Sequence, residues 1–508
     1  MAKSQDTAFF GHPAGLSTLF FTEMWERFSF YGLRAILILF MTAPLAMGGL
    51  GWGVDRAGAI YGTYAASVYL MSLPGGWVAD KVLGLRRSVF WGGVLIMLGQ
   101  ACLAYPRGTS LLYPGLIFIC LGTGMLKPNI SALVGQLYAP DDVRRDAGFS
   151  IYYMGINLGA TISPLVCGWL AQGVGFQHFL AKLGIDPRTS WHFGFGFGAL
   201  GMAFGLVQYV LTGRRLGTAG LTVLGSPTSE ALAGARRKFG LAIIGVVAVV
   251  VALVLLSRAG TIHVTPTGVS GAMDLVLLGV VIGFFAWLFS AGDWSSDERK
   301  RLVVIFVLFL AATVFWSAFE QAASTLNLFA QNQVRNTIFG ISYPASWLQS
   351  VNAALIIILA PVAGAIWLVL GRKGKDPSTP AKFSLGLFFL GTGFAVMILA
   401  ATAASSGQKV SPLWLVLTYL LHTVGELCLS PVGLSAMTRL APARVTGLMM
   451  GVWFLASSVG NKIAGTAASL TEKFSGQQIF GTVTVVALLF ALVMALLVKP
   501  IKRMLARS

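Results

Sequence analysis

Residues 15–46 read GLSTLFFTEMWERFSFYGLRAILILFMTAPLA. The run is apolar enough and long enough to cross a bilayer as a helix, which takes ~20 residues. It nevertheless carries four charged side chains, Glu23, Glu26, Arg27 and Arg34. Added together, four such charges oppose insertion by on the order of 10 kcal/mol. A helix of this kind is stable in a membrane only where its charges face a wet cavity or each other.

The composition of the whole chain agrees with a membrane protein. Hydrophobic residues make up 56% of the 508 positions and charged residues only 11%, whereas an ordinary soluble domain is roughly 25% charged. Apolar runs of spanning length recur along the chain, without the ~10-residue apolar–polar alternation of barrel strands. These observations exclude a soluble enzyme, a disordered protein and a secreted disulfide scaffold. They predict an all-α polytopic membrane protein.

The apolar segments follow a pattern of six, two and six, which predicts 14 transmembrane helices. Two halves of six helices are typical of the major facilitator fold, in which substrate binds near the bilayer midplane. The predicted parts are a cytoplasmic N-terminus (1–14), an N-terminal six-helix bundle (15–212), cytoplasmic linkers with a two-helix insert (213–301, helices near 239–257 and 270–290), a C-terminal six-helix bundle (302–498) and a cytoplasmic C-terminus (499–508).

Lysine and arginine residues are distributed unevenly between the two predicted sides. With both termini in the cytoplasm, 24 of the 36 basic residues fall on the cytoplasmic side and 8 on the opposite side. Such an excess marks cytoplasmic loops, so it predicts a multi-pass protein with both termini cytoplasmic. It also accounts for the net charge of +18 without nucleic acid as a partner. The charged middle of the first apolar segment argues against a cleaved signal peptide.

Charged and aromatic side chains share one face of the first predicted helix. Glu23, Arg27, Tyr31 and Arg34 follow one another at helical spacing, which places them on one side of a helix. Glu23 and Arg27 can pair across one turn, and Glu26 lies next to this face. Arg34 has no acid one turn away in its own helix, so its partner has to come from another helix.

Further ionisable residues lie inside predicted spanning segments. Glu320 and Glu426 are acids of the second half, and Lys127 is a base of the first half. Bases on one wall of a cavity and acids on the other suit a zwitterionic ligand, whose carboxylate would bind Arg34 and Lys127. Its amine would bind Glu426 or Glu320, and these carboxylates are also natural proton acceptors. Lys462 lies toward one end of its helix, so we expect its amine to snorkel to the interface.

No pattern in the chain indicates a metal site, a cofactor or a catalytic centre. The five histidines have no metal-ligand spacing, and neither HExxH nor a P-loop pattern occurs. An intramembrane enzyme would need a nucleophile with a base, or a metal cluster, at the midplane. A receptor without net transport would not need a cluster of proton-accepting carboxylates. We therefore expect neither an enzyme nor a bound cofactor.

Five stretches resemble signatures of one transporter family. Residues 23–32, EMWERFSFYG, resemble the ExxERF-x-YYG signature of the proton-coupled oligopeptide transporter (POT/PTR) family. Residues 122–135, GTGMLKPNISALVG, resemble its second signature, around a lysine, and residues 149–159, FSIYYMGINLG, resemble its fifth-helix signature. FWSAFEQ at 315–321 and GELCLSP at 425–431 resemble the segments that carry its intramembrane acids.

The resemblance implies a proton symporter for di- and tripeptides with the major facilitator fold, working by alternating access. It assigns Glu23, Glu26 and Arg27 to proton coupling, with Glu320 as a salt-bridge and proton partner. It places the peptide carboxylate at Arg34 and Lys127 and the amine at Glu426. The residues that it assigns to the pocket are Tyr31, Arg34, Tyr69, Lys127, Asn157, Glu320, Asn352, Glu426, Trp453 and Ser457.

The two-helix insert is similar to that of bacterial members of the family. The expected location is therefore the bacterial inner membrane, and the expected partners are peptides, protons and membrane lipid. We expect a functional monomer with protons as the coupling ion and with the insert peripheral to the pathway.

Three positions depart from the family pattern. Phe30 replaces a tyrosine of the first signature, Ala353 follows Asn352 where proline is common, and Tyr61-Gly62-Thr63 stands where animal members have a histidine. Proton coupling therefore has to depend on the carboxylates. The signatures leave open a transporter of the same fold with another substrate, such as an amino acid, a drug-like molecule or nitrate.

Overall fold

The structure is a computed structural model that describes residues 6–506, apart from 107, 140, 224, 227, 291 and 339. The outermost residues of the two predicted termini, 1–5 and 507–508, lie outside the described residues. The described chain is almost entirely helical, and 11 of its helices are long and apolar enough to cross a membrane. Helices also occupy the other three predicted segments. The prediction of an all-α polytopic membrane protein is confirmed.

The segments of the first half form helices close to their predicted positions. The second span is interrupted at Met71 and continues into a π-helical turn, Ala79–Leu83. A short connecting helix, Val174–Lys182, was not predicted. The helices are α1 (Ala14–Thr42), α2 (Val54–Leu70), α3 (Ser72–Val78), α4 (Leu85–Ala104), α5 (Leu112–Gln136), α6 (Arg145–Gln172), α7 (Val174–Lys182) and α8 (Ser190–Thr212).

The insert and the second half also follow the predicted order. The first span of the second half breaks at a 3-10 turn, Glu320–Ala323, so it forms two helices. The elements are α9 (Ser229–Arg258), α10 (Pro266–Ser290), α11 (Ser296–Phe319), α12 (Thr325–Gln333), β1 (Thr337–Ile338), β2 (Ile341–Ser342), α13 (Ser350–Arg372), α14 (Thr379–Ala404), α15 (Leu413–Leu440), α16 (Met449–Ser469) and α17 (Gly476–Ala506).

The described chain divides into two compact units whose limits differ from the predicted bundles. Unit one comprises Met1–Leu33, Ser67–Ser163 and His192–Val269, and unit two comprises Arg34–Ala66, Pro164–Trp191 and Ser270–Ser508. Helix α9 therefore belongs to unit one and most of α10 to unit two. The predicted bundle limits stay a prediction, and each unit is described here by itself.

Small residues allow α16 to approach α2 closely within unit two. A Cβ atom on Gly465 would lie 2.3 Å from the Cα atom of Gly62, so a larger residue there would force the helices apart. Nearby, the Ser458 hydroxyl donates to the Ala66 carbonyl at 2.7 Å. Close approach through glycine is a common way to pack membrane helices. It fixes one side of the helix that carries Trp453 and Ser457.

The expectation that Lys462 snorkels to the interface is wrong. Lys462 is only 3% exposed, and its Nζ atom lies 2.8 Å from Oδ1 of Asp274 in α10. The lysine therefore turns toward another helix instead of toward water. Its partner is 188 positions away in the chain, so helical spacing alone could not reveal it.

Candidate functional site

The first ionisable cluster lies in unit one, on α1. Arg27 donates to Glu26 twice, through Nε and through NH2 to Oε1 at 2.7 Å. Its Nε also lies 3.4 Å from Oε1 of Glu23. All three side chains are at most 2% exposed. The Glu23–Arg27 pair expected from helical spacing is present, and Glu26 is the closer partner. Two carboxylates share one guanidinium, so this trio holds one negative charge in excess when all are ionised.

A tyrosine that sequence reasoning missed lies against this cluster. The Tyr152 hydroxyl of α6 interacts with the Glu23 carboxylate and lies 3.4 Å from the Ser131 hydroxyl of α5. Tyr152 is buried, and Lys127 also acts on Glu23 electrostatically. The sequence offered one signal, because Tyr152 stands inside the fifth-helix stretch FSIYYMGINLG. Only the packing of α6 on α1 shows which tyrosine of that stretch faces the acid.

Aromatic rings cover the guanidinium of Arg27. Its Cζ atom lies 4.7 Å from the ring centroid of Phe30 and 5.9 Å from that of Tyr31. Cations are attracted to the face of an aromatic ring. Phe30 thus keeps the electrostatic contact that a ring face provides, although it lacks the hydroxyl expected at this position.

Lys127 and Asn157 complete the predicted site residues of unit one. Lys127 Nζ lies 4.1 Å from the ring centroid of Tyr69, which joins two residues that the resemblance assigned to the pocket. Asn157 is buried and donates its amide to the Tyr153 carbonyl of its own helix at 2.9 Å. Arg34, which was predicted to bind the same carboxylate as Lys127, belongs to unit two.

The partner of Arg34 is Glu320. The two side chains are 9% and 4% exposed, and Arg34 NH2 lies 2.6 Å from Glu320 Oε2. Glu320 begins the 3-10 turn that separates α11 from α12. Just beyond, Asn327 of α12 donates to the Ala35 carbonyl at 2.8 Å. Both contacts attach the second part of α1 to this broken span.

Glu426 is held by an amide instead of a base. Asn352 Nδ2 donates to Glu426 Oε2 at 3.2 Å and to the Thr423 hydroxyl at 2.9 Å. Glu426 is buried, and no lysine, arginine or histidine nitrogen of the described residues of unit two lies within 4.0 Å of its carboxylate. Arg34 and Glu320 act on it electrostatically at longer range. The carboxylate can therefore receive a positive group from outside the chain.

Trp453 and Ser457 lie one turn apart on α16. The Ser457 hydroxyl contacts the Trp453 carbonyl at 3.3 Å, and the indole of Trp453 packs edge-on against Trp316 with centroids 6.1 Å apart. Trp316 Nε1 is buried and has no hydrogen-bond partner in the described part of the chain. Trp316 is a second residue that sequence reasoning missed, although it stands in the stretch FWSAFEQ.

The predicted residues thus form two groups. Unit one contains Glu23, Glu26, Arg27, Tyr31, Tyr69, Lys127 and Asn157. Unit two contains Arg34, Glu320, Asn352, Glu426, Trp453 and Ser457. The two acids and two bases of the first group, Glu23, Glu26, Arg27 and Lys127, sum to zero charge when all four are ionised. The second group has two acids and one base, so it carries one negative charge in excess.

A family model described as the POT family matches residues 86–486. The chain belongs to the POT family. This POT protein is 42% identical to the peptide transporter YePEPT of Yersinia enterocolitica, over 98% of this chain and 96% of the relative. It is 36% identical to a di-/tripeptide transporter of Lactococcus lactis, over 98% of each chain.

The solved structures agree with this assignment. A crystal structure of a mutant of the peptide transporter POT, in complex with alafosfalin, matches with a TM-score of 0.87 and 40% identity, over 98% of this chain and 97% of that chain. Because the match runs nearly end to end, the predicted all-α major facilitator fold is confirmed. The roles of individual site residues stay predictions.

Proposed function

We propose that this POT-family protein is a proton-coupled symporter that imports di- and tripeptides across the bacterial cytoplasmic membrane by alternating access. The observation that carries the proposal is the buried Glu426 carboxylate, which accepts a hydrogen bond from Asn352 and has no base among the described residues of unit two within 4.0 Å. Such a carboxylate suits the ammonium group of a ligand. The names of the Yersinia and Lactococcus relatives agree with a peptide as that ligand.

A free peptide also carries a carboxylate, for which Arg34 and Lys127 are the proposed partners. Arg34 already pairs with Glu320 at 2.6 Å, so an incoming carboxylate competes with Glu320 for the same guanidinium. This competition gives peptide binding a way to break the Arg34–Glu320 pair, which holds the second part of α1 against the turn after α11.

The proposed proton-coupling group is Glu23, Glu26 and Arg27. Two buried carboxylates share one guanidinium, and an unbalanced charge in a membrane is costly. One proton removes the imbalance within the trio. We propose that the proton is the coupling ion and that no metal or other cofactor takes part.

The remaining parts of the proposal concern location and partners. The 24-to-8 distribution of basic residues supports an inner-membrane protein with both termini in the cytoplasm. The proposed partners are peptides, protons and membrane lipid, without nucleic acid, and the proposed functional form is a monomer.

The test is uptake by reconstituted vesicles. Protein in vesicles whose lumen is alkaline relative to the bath should accumulate labelled dialanine above the bath concentration. Vesicles without a pH gradient, and protein-free vesicles with one, are the controls. No accumulation by folded protein would sink the proposal.

Competitors separate the rival substrates. Unlabelled di- and tripeptides should block uptake, whereas an amino acid, a drug-like molecule and nitrate should not. If one of those three compounds blocks uptake and tripeptides do not, the result would instead favour a transporter of the same fold with another substrate. Binding of peptide without accumulation would indicate a receptor.

A further inference from the structure

One intramembrane base has no place in the proposed site. Lys462 lies on α16, is 3% exposed, and has its Nζ atom 2.8 Å from Asp274 Oδ1 and 3.4 Å from the Thr466 hydroxyl. A buried ammonium group is strongly unfavourable without a counter-charge. Asp274 is the acid that supplies that charge, and it belongs to the inserted helix α10.

Helix α10 docks through one stripe of side chains. Its buried residues are Ser270, Leu277, Phe285 and Leu288. Asp274 follows them at helical spacing, and its side chain stays 57% exposed while it contacts Lys462. Phe285 packs against Phe306 and Phe309 of α11, with centroids 4.8 and 5.0 Å apart. The other inserted helix, α9, has no buried residue among those described. Helix α10 is therefore the part of the insert that is anchored in unit two.

The face of α16 that carries Lys462 is opposite the face that carries the predicted pocket residues Trp453 and Ser457. Lys462 follows Trp453 by nine positions and Ser457 by five, which places it on the far side of the helix from them at 3.6 residues per turn. On the same face as Lys462, at helical spacing from it, Ser458 bonds to Ala66 and Gly465 packs on Gly62. Helix α16 thus contacts both α2 and α10. Both contacts constrain the rotation of α16 about its own axis and its position along that axis.

We propose that Asp274 and Lys462 are positioning residues, through which the inserted helix α10 sets the orientation of α16 and so of Trp453 and Ser457. This proposal rests on the peptide site proposed above. The insert then contributes to substrate affinity without touching substrate. An ion pair suits this role because it is directional, whereas the surrounding apolar contacts allow α10 to rotate or slide.

The test compares single and paired substitutions. Asp274→Asn leaves Lys462 without a counter-charge, and we expect the KM for dialanine to rise about fivefold or more, the lower end of a typical coupling between sites. Lys462→Met alone leaves Asp274 without its cation and should also raise the KM. The double variant Asp274→Lys with Lys462→Asp exchanges the two charges, keeps the ion pair and should return the KM most of the way to wild type. The matched control is Arg258→Gln, which removes an exposed charge at the end of α9.

Two measurements separate positioning from a purely structural role. Thermal unfolding reports stability, and uptake is normalised to folded protein. The proposal would be overturned if both single variants had a lowered melting temperature but kept the wild-type KM for dialanine. So would a double variant that binds peptide as weakly as Asp274→Asn.

A third measurement does not depend on the substrate. Hydrogen exchange of the α16 amides around Trp453 and Ser457 should accelerate in Asp274→Asn and recover in the double variant. If wild-type protein takes up no peptide but α16 exchange responds in this way, the proposed substrate is wrong and the positioning role stands. Unchanged exchange would contradict the positioning role whatever the substrate is.

Discussion

The guanidinium of Arg34 lies 2.6 Å from the carboxylate of Glu320, and both side chains are more than nine-tenths buried. The pair joins the second part of α1 to the turn at which α11 ends. The two residues are far apart in the chain, and each would be an uncompensated buried charge without the other. The pair is therefore a structural bond and, in the proposed mechanism, the bond that an arriving peptide carboxylate disturbs.

Glu320→Gln should lower both the stability of the protein and its gradient-driven uptake of dialanine. Removing one partner of a buried pair leaves the other charge uncompensated, which costs about 3–5 kcal/mol. Thermal unfolding and gradient-driven dialanine uptake measure the two effects. The double variant Arg34→Gln with Glu320→Gln should regain most of the stability and none of the uptake. Glu230→Gln, at the exposed start of α9, is the control, and restored uptake in the double variant would contradict the proposed role of the pair.

Replacing both Glu23 and Glu26 by glutamine should separate proton coupling from peptide movement. The variant has no carboxylate in the α1 trio to exchange a proton, so gradient-driven uptake should be abolished. Counterflow exchange of labelled for unlabelled dialanine needs no net proton movement and should persist. Both are measured in the same vesicles. If driven uptake continues, the proton site lies elsewhere in the chain.

Tyr152→Phe tests the residue that sequence reasoning missed. The change removes the hydroxyl that acts electrostatically on Glu23 and keeps the ring. Because Glu23 loses a polar neighbour, driven uptake should fall severalfold while counterflow stays near wild type. Tyr153→Phe is the matched control, because Tyr153 is 40% exposed. Equal losses in the two variants would mean that Tyr152 has no special role at Glu23.

Glu426→Gln should affect peptides according to their amino group. The amide is similar in size to the carboxylate and can still bond to Asn352, but it cannot neutralise an ammonium group. Competition against dialanine uptake should therefore weaken for peptides with a free amine and change little for amine-blocked analogues. An equal loss for both ligand classes would place the substrate amine at another residue.

Much of this protein could be predicted because its strongest signals are local. The four charges inside the apolar run 15–46 predicted a wet or paired interior, and helical spacing predicted the Glu23–Arg27 pair, which the structure contains. The six, two and six pattern of apolar segments and the signature EMWERFSFYG pointed to the POT family, to which the chain belongs. These features depend on composition and on residues within a few turns of one another.

The partners of the other buried charges could not be read in this way. Glu26 is nearer to Arg27 than Glu23 is, which depends on side-chain rotamers. Tyr152 faces Glu23 because α6 packs on α1, and Lys462 meets Asp274 because α10 docks on α16. The wrong expectation for Lys462 came from judging a single helix by itself.

The amino-acid order alone determined which segments span the membrane, which of them carry charges and which family they resemble. The reason is that helix periodicity and the cost of transferring a side chain into lipid are properties of short stretches of chain. Only the tertiary structure decided the partners of Arg34 and Lys462, because each of these pairs joins residues from distant helices. It left Glu426 with an amide as its neighbour and Lys462 with an acid from the insert, and no spacing within one helix encodes either contact.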